Sequence, residues 1–286
     1  MMGFQDRRYR DGDEDERGGR FGKALRRIFV EGDNFLGWAL PLFTVSGIRV
    51  RVHLLYVLWI AITLIMSLPL GATSIKFRAV QMACLFAIVL LHEFGHCIAC
   101  RKVGGEANDI LMWPLGGLAS CSPPHNWKAN FITTAGGPLV NVLLIPVLAG
   151  LMLAAGARPD QLIFNPLEPG RMLSVLNFGA WWKIAVFYSY YSNILLLVFN
   201  LVVPMFPMDG AKLVQEVLWA KIGWRRSMQI AVNVGLVTAV ALGLFSIASP
   251  NMQQLFGLAV FGGFICFSER QRLRATGDDG EYDVGR

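Results

Sequence analysis

Apolar residues run along this chain in long blocks, separated by short stretches where charges, prolines and glycines gather. A helix needs about 20 apolar residues to cross a bilayer core. Six windows meet or approach that length: 53–71, 79–100, 129–155, 182–207, 228–248 and 250–267. The fourth begins beside Trp181, Trp182 and Lys183, which read as interfacial anchors. The last two are joined only through Ser249-Pro250, which predicts a tight helical hairpin. Two stretches break the helical pattern. Ile48, Val50 and Val52 alternate with Arg49, Arg51 and His53, the period of a strand. Met112-Trp113-Pro114-Leu115-Gly116-Gly117-Leu118-Ala119 lacks helical character. Phe35 to Phe43 is apolar but short, and is expected to lie in the membrane interface.

The pattern predicts an all-α polytopic membrane protein of about six transmembrane helices, with a small membrane-associated β element. Residues 1–34 form a charged tail, 35–267 the membrane domain and 268–286 a second tail. Within the tails, 1–20 and 275–286 mix charge with glycine and lack an apolar pattern, so they are expected to be disordered. No internal repeat and no appended soluble domain is visible.

Composition agrees. Of 286 residues, 54% are hydrophobic and 16% charged, and mean hydropathy is +0.47, too apolar for an ordinary soluble domain. The net charge of +6 reads as basic residues flanking spans rather than as a nucleic-acid surface. With both termini cytoplasmic, Arg49, Arg51, Arg101, Lys102, Lys128, Lys212, Lys221, Arg225, Arg226, Arg270, Arg272 and Arg274 fall near span ends on the inner side. Only Lys76, Arg78, Arg158, Arg171 and Lys183 fall outside. The odd, scattered set Cys84, Cys97, Cys100, Cys121 and Cys266 makes no disulfide framework. The charged start is not that of a usual cleavable signal peptide.

One residue does not belong in lipid. Apart from Lys183 at an edge, Glu93 alone carries a formal charge within the six windows. A carboxylate at that depth costs about 2.5–3.5 kcal/mol on insertion scales, so its default reading is functional. It sits in His92-Glu93-Phe94-Gly95-His96. Helix positions i and i+4 share a face, which lets two imidazoles converge on one zinc ion. The glutamate between them can take a proton from an activated water. A pair of satisfied core histidines would not explain the buried acid.

A catalytic zinc takes a third protein ligand. The best candidate is Asp209, just after Pro204 and Pro207 break the fourth window; the plain alternative is a helix-ending Asp-Gly turn. Topology offers an independent check. His96 lies roughly 7.5 Å of helix rise before Arg101, and Asp209 falls at the same cytoplasmic end of its own window. Cys100 shares the histidine face but stands about 12 Å of rise from His92, too far to join one ion. His125 reads as a loop residue, and His53 as interfacial or structural.

His92-Glu93-Phe94-Gly95-His96, Ala135-Gly136-Gly137-Pro138-Leu139-Val140-Asn141 and Phe206-Pro207-Met208-Asp209-Gly210, in that order on successive membrane segments, resemble the site-2 protease family of intramembrane metalloproteases. The similarity runs from about Gly47 to Asp209. It implies one zinc ion held by His92, His96 and Asp209, with Glu93 as the base. It also implies that Asn141 holds substrate or stabilises an oxyanion, the bland alternative being a helix–helix hydrogen bond. Gly136-Gly137-Pro138 would interrupt the third span, and 112–119 would form a re-entrant loop near the site. Asn200 departs from the family spacing before Pro204, and Ala211 stands where a second glycine is common.

The resemblance further implies cleavage of single-span membrane proteins near the cytoplasmic side, in a bacterial inner membrane. A helical substrate must unwind before hydrolysis, so a β edge near the site is expected to pair with it. A metal transporter would need ligands spread through the bilayer depth. A catalytically inactive membrane scaffold would usually have lost Glu93 or a ligand.

Overall fold

The computed structural model describes residues 38–163, 180–249 and 255–275. The predicted tail 1–34, most of the expected disordered ends and Pro250 of the hairpin link lie outside them.

Two strands open the described chain, β1 (Ala39–Val45) and β2 (Ile48–His53). They are joined at Ser46 and Gly47, which both take the positive φ a tight hairpin demands. Helices α1 (Leu54–Ile65) and α2 (Ala72–Lys102) then cross over to β3 (Glu106–Trp113), which pairs parallel with β2. A second hairpin adds β4 (Gly116–Ser122), giving the sheet order β1-β2-β3-β4. The alternation at Ile48, Val50 and Val52 is realised: these three are buried under α1 and α2 with Ile110 and Met112. Two segments take strand form. The segment 112–119, which lacks helical character in the sequence, belongs to the β3–β4 hairpin, and the apolar stretch ending at Phe43 supplies most of edge strand β1. Backbone pairing satisfies amides and carbonyls that an isolated loop at membrane depth would leave open.

The remaining helices are α3 (Trp127–Ala154), α4 (Trp181–Val202), α5 (Asp209–Ile222), α6 (Trp224–Ala248) and α7 (Leu255–Ala275). Among the described residues, four helices, α2, α3, α4 and α6, are long and apolar enough to cross a membrane, and the chain is an integral membrane protein. The first window instead gives a 12-residue helix followed by a 3-10 turn at Leu68–Leu70. The last gives α7, which continues through Glu269, Arg270, Arg272 and Arg274, past the expected domain edge at 267. Residues 209–222 form a helix, which replaces the plain alternative of a helix-ending Asp-Gly turn.

The predicted interruption of the third span is absent: α3 runs unbroken through Pro138 and Pro146. Neighbouring helices in a membrane protein can re-satisfy what proline frees. Half of the apolar window of α2 is buried within the protein, against 28% for α3 and α6, so α2 is the central helix. Around it, Cys84 and Ile88 pack with Leu148, Met152, Ile184 and Phe187 of α3 and α4. Arg101, at its C-terminal end, ties it to the sheet through Ala107 O (3.0 Å) and to the β1–β2 turn through Ser46 O.

Candidate metal centre

His92 and His96 stand one turn apart in the C-terminal half of α2, both buried, their Nε2 atoms 3.1 Å apart and their rings nearly perpendicular at 84°. Pro204 and Pro207 end α4 and turn the chain through 203–208, so that Asp209 opens α5. Its Oδ2 reaches 3.0 Å from His92 Nε2 and 3.3 Å from His96 Nε2. The far side of each imidazole is already committed. His92 Nδ1 lies 2.5 Å from Asn141 Oδ1, and His96 Nδ1 lies 3.0 Å from Thr133 O. Both acceptors are oxygens, so each Nδ1 carries the proton and each Nε2 presents its lone pair.

Asp209 Oδ2 is buried and has no hydrogen-bond partner in the protein. A single imidazolium–carboxylate pair would satisfy it with one proton, whereas one cation serves both lone pairs and the carboxylate together. Zinc bonds of about 2.0–2.1 Å in tetrahedral geometry separate ligand atoms by about 3.3–3.4 Å, close to the spacing found here. His92, His96 and Asp209 therefore fit a single zinc ion.

Close backbone approach makes this possible. A Cβ on Gly137 would lie 2.3 Å from His96 Nε2 and 2.7 Å from His92 Cε1. One step along, Gly95 and Gly136 bring α2 and α3 so near that a Cβ on either would meet the other's carbonyl oxygen at 2.4 Å. Asn141 lies fully buried behind His92 and not in the cavity wall. Its Nδ2 donates to Asn193 Oδ1 (2.8 Å), and Asn193 Nδ2 returns a bond to Asn141 O (3.0 Å). The helix–helix bond is thus present.

Glu93 points to the other flank of α2. Its Oε2 accepts from Ala119 N in β4 at 2.9 Å, and it packs so closely on Gly117 that a Cβ there would stand 2.3 Å from Glu93 Cγ. Glu93, both histidines and Asp209 line one cavity of about 270 Å³, together with Asn200, Lys212 and Glu216. Asn200 Nδ2 lies 3.3 Å from His92 Nε2. Glu216, on α5 outside the four spans, has its carboxyl pushed up to about 7 by burial, with Thr134 and Lys212 pulling the other way.

The rejected candidates lie elsewhere. Cys100 Sγ contacts Glu106 O, and His125 is exposed against the Trp219 and Trp224 rings. His53 is structural: buried at the N-cap of α1, its Nδ1 accepts from Leu55 N. Asn193, Thr133 and Glu216 were not singled out from the sequence, and Gly117 and Ala119 only as part of the segment 112–119 expected near the site. Asn193 had a signal, an amide within an apolar window. The backbone carbonyl of Thr133 had none.

With this geometry in hand, the comparisons with known proteins point one way. The family model described as peptidase family M50 matches residues 80–242, more than half of the chain. A zinc metalloprotease of Methanocaldococcus jannaschii is 28% identical over 241 residues, which is 84% of this chain and 62% of that protein. The Rip3 protein of Mycobacterium tuberculosis is 29% identical over 249 residues, 82% of this chain and 58% of that protein. This chain thus spans about 60% of the length of these curated relatives. A solved site-2 protease from Methanocaldococcus jannaschii is similar with a TM-score of 0.59 and 27% identity, over 81% of this chain and 95% of that one.

Proposed function

The chain belongs to peptidase family M50, and from that membership we propose that it is a zinc-dependent intramembrane protease acting on single-span membrane proteins. The observation that carries the reading is the convergence of two lone-pair nitrogens and an unpartnered carboxylate oxygen, 3.0–3.3 Å apart, beside a buried glutamate in one cavity. Zinc, when bound by His92, His96 and Asp209, supplies Lewis-acid activation of water and of a peptide carbonyl.

The residues of the chain do the rest. Glu93, oriented by the Ala119 N–H, takes a proton from the attacking water as its oxygen adds to the carbonyl carbon. It returns that proton to the amide nitrogen as the C–N bond breaks. Asn141 and Thr133 act behind the ligands, holding the imidazoles in the required tautomer.

The substrate enters as an unwound strand. Ala119 N points away from β3 and toward Glu93, so by the two-residue alternation of a strand the amides and carbonyls of Gly117 and Cys121 also face the free edge. Strand addition at β4 delivers the scissile bond beside Glu93. On this reading both termini lie in the cytoplasm and the zinc site near that face of a bacterial inner membrane, an orientation that the basic residues at span ends support.

Glu93→Gln is the decisive variant. It should keep stoichiometric zinc and lose cleavage of a single-span reporter by more than about 100-fold, the lower bound for general-base catalysis. Equal turnover by variant and parent, read by quantitative membrane proteomics and by reporter cleavage, would refute Glu93 as the base; no cleavage by the zinc-loaded parent itself would favour a binding scaffold.

A further inference from the structure

Among the described residues, three buried side-chain oxygens have no hydrogen-bond partner in the protein: Thr133 Oγ1, Asp209 Oδ2 and Glu216 Oε2. All three residues line the same cavity. The metal site accounts for Asp209 Oδ2. It uses neither of the other two, and a buried polar atom left alone is costly.

The residues that carry those two atoms belong to one surface. Asn130, Thr133 and Thr134 recur along α3 at helical spacing, and Asp209, Lys212 and Glu216 do the same along α5; all six line the cavity. The Thr134 hydroxyl donates to Glu216 Oε1 at 2.7 Å and joins the two helices. This surface lies on the His92–His96 flank of α2, while β4 lies on the Glu93 flank.

An extended peptide directs its backbone groups alternately to two sides. Strand addition at β4 satisfies one side only. At membrane depth the other side needs a protein partner. On the reading of the cavity as a protease site, we propose that the α3–α5 surface is a second backbone-binding wall for the unwound substrate, with Glu216 Oε2 and Thr133 Oγ1 as its hydrogen-bonding atoms. Glu216 is then a substrate-binding residue, separate from the metal ligands.

Two metal-directed probes separate the wall from the metal. Acetohydroxamate carries the chelating group alone; a tripeptide hydroxamate adds an extended backbone. Binding of both to the full, zinc-loaded chain in detergent is measured by calorimetry, alongside zinc content. Glu216→Ala should weaken the tripeptide hydroxamate by about five- to tenfold, the effect of one hydrogen bond. Acetohydroxamate affinity and zinc content should stay at parent values, and Glu216→Gln should restore most of the loss. Thr133→Val, which keeps the carbonyl that holds His96, should weaken the tripeptide probe by a few-fold and serves if Glu216→Ala does not fold. Equal weakening of both probes, or loss of zinc, would make Glu216 a clamp on the helix bearing Asp209 and overturn the wall. Unchanged tripeptide affinity in both Glu216→Ala and Thr133→Val, or a Glu216→Gln as weak as Glu216→Ala, would overturn it too. Failure of the zinc-loaded parent to bind either hydroxamate would instead sink the protease reading beneath it, before any variant is compared.

Discussion

His92 and His96 come from the C-terminal half of α2, a 31-residue helix packed against the sheet, α3 and α4. Asp209 comes from the first residue of α5, a 14-residue helix reached through the non-helical stretch 203–208. The histidine half is fixed by regular backbone: helix geometry sets the spacing, and the crossing at Gly95, Gly136 and Gly137 packs α3 closely against the imidazoles. The aspartate half is fixed by a junction. A Cβ on Gly210 would stand 2.3 Å from Leu201 O, so the start of α5 folds tightly back on the end of α4. Gln215 then ties α5 to Ser227 of α6 at 2.9 Å. A site divided this way has a rigid platform and a third ligand whose place depends on how the segments around it pack.

The largest break in that contrast should come from the platform. Gly137→Ala puts a methyl group where a Cβ lies 2.3 Å from His96 Nε2, so zinc should fall from stoichiometric to near none by elemental analysis. Gly150→Ala on the same helix meets nothing within 4 Å and should leave zinc content unchanged. Gly137→Ala with full zinc would show that the platform yields.

Next in size is the aspartate half. Asp209→Ala leaves two ligands, and zinc affinity should fall by more than about 100-fold, beyond the usual loss from an outer-shell change. The parent should lose about 2.7 kcal/mol on chelation if zinc was present at 100 times its Kd, read as a drop in Tm. Asp209→Ala should show almost no drop. Equal drops would exclude Asp209 as a ligand.

The smallest effect is expected behind the platform. Asn141→Leu removes the acceptor on His92 Nδ1 and the bond to Asn193, while all three ligands remain. Zinc affinity should fall about 10- to 100-fold, measured by competition with a chromophoric chelator. A loss matching that of Asp209→Ala would mean the asparagine acts by more than orientation.

How much could be read without coordinates follows the same division. His92, Glu93 and His96 were legible because i and i+4 share a helix face and a lone acid in an apolar window demands a reason. The strand over 48–53 was legible from its period. Asp209 was legible as a candidate but not as the opening of a helix, because α5 is polar and 14 residues long, outside a search for apolar spans. Counting windows by hydropathy also merged α1 with a 3-10 turn and carried window four to 207, past the end of α4 at Val202.

By itself, then, the sequence determined an apolar, membrane-crossing chain with two imidazoles and a carboxylate on one helical turn. Those properties depend on neighbours a few residues apart. Only the tertiary structure decided that Asp209 Oδ2 meets them at 3.0–3.3 Å, that Asn141 backs His92, and that β4 and the α3–α5 surface flank the cavity. Such contacts join residues distant in the chain. Packing of whole helices, through glycines where backbones touch, sets them.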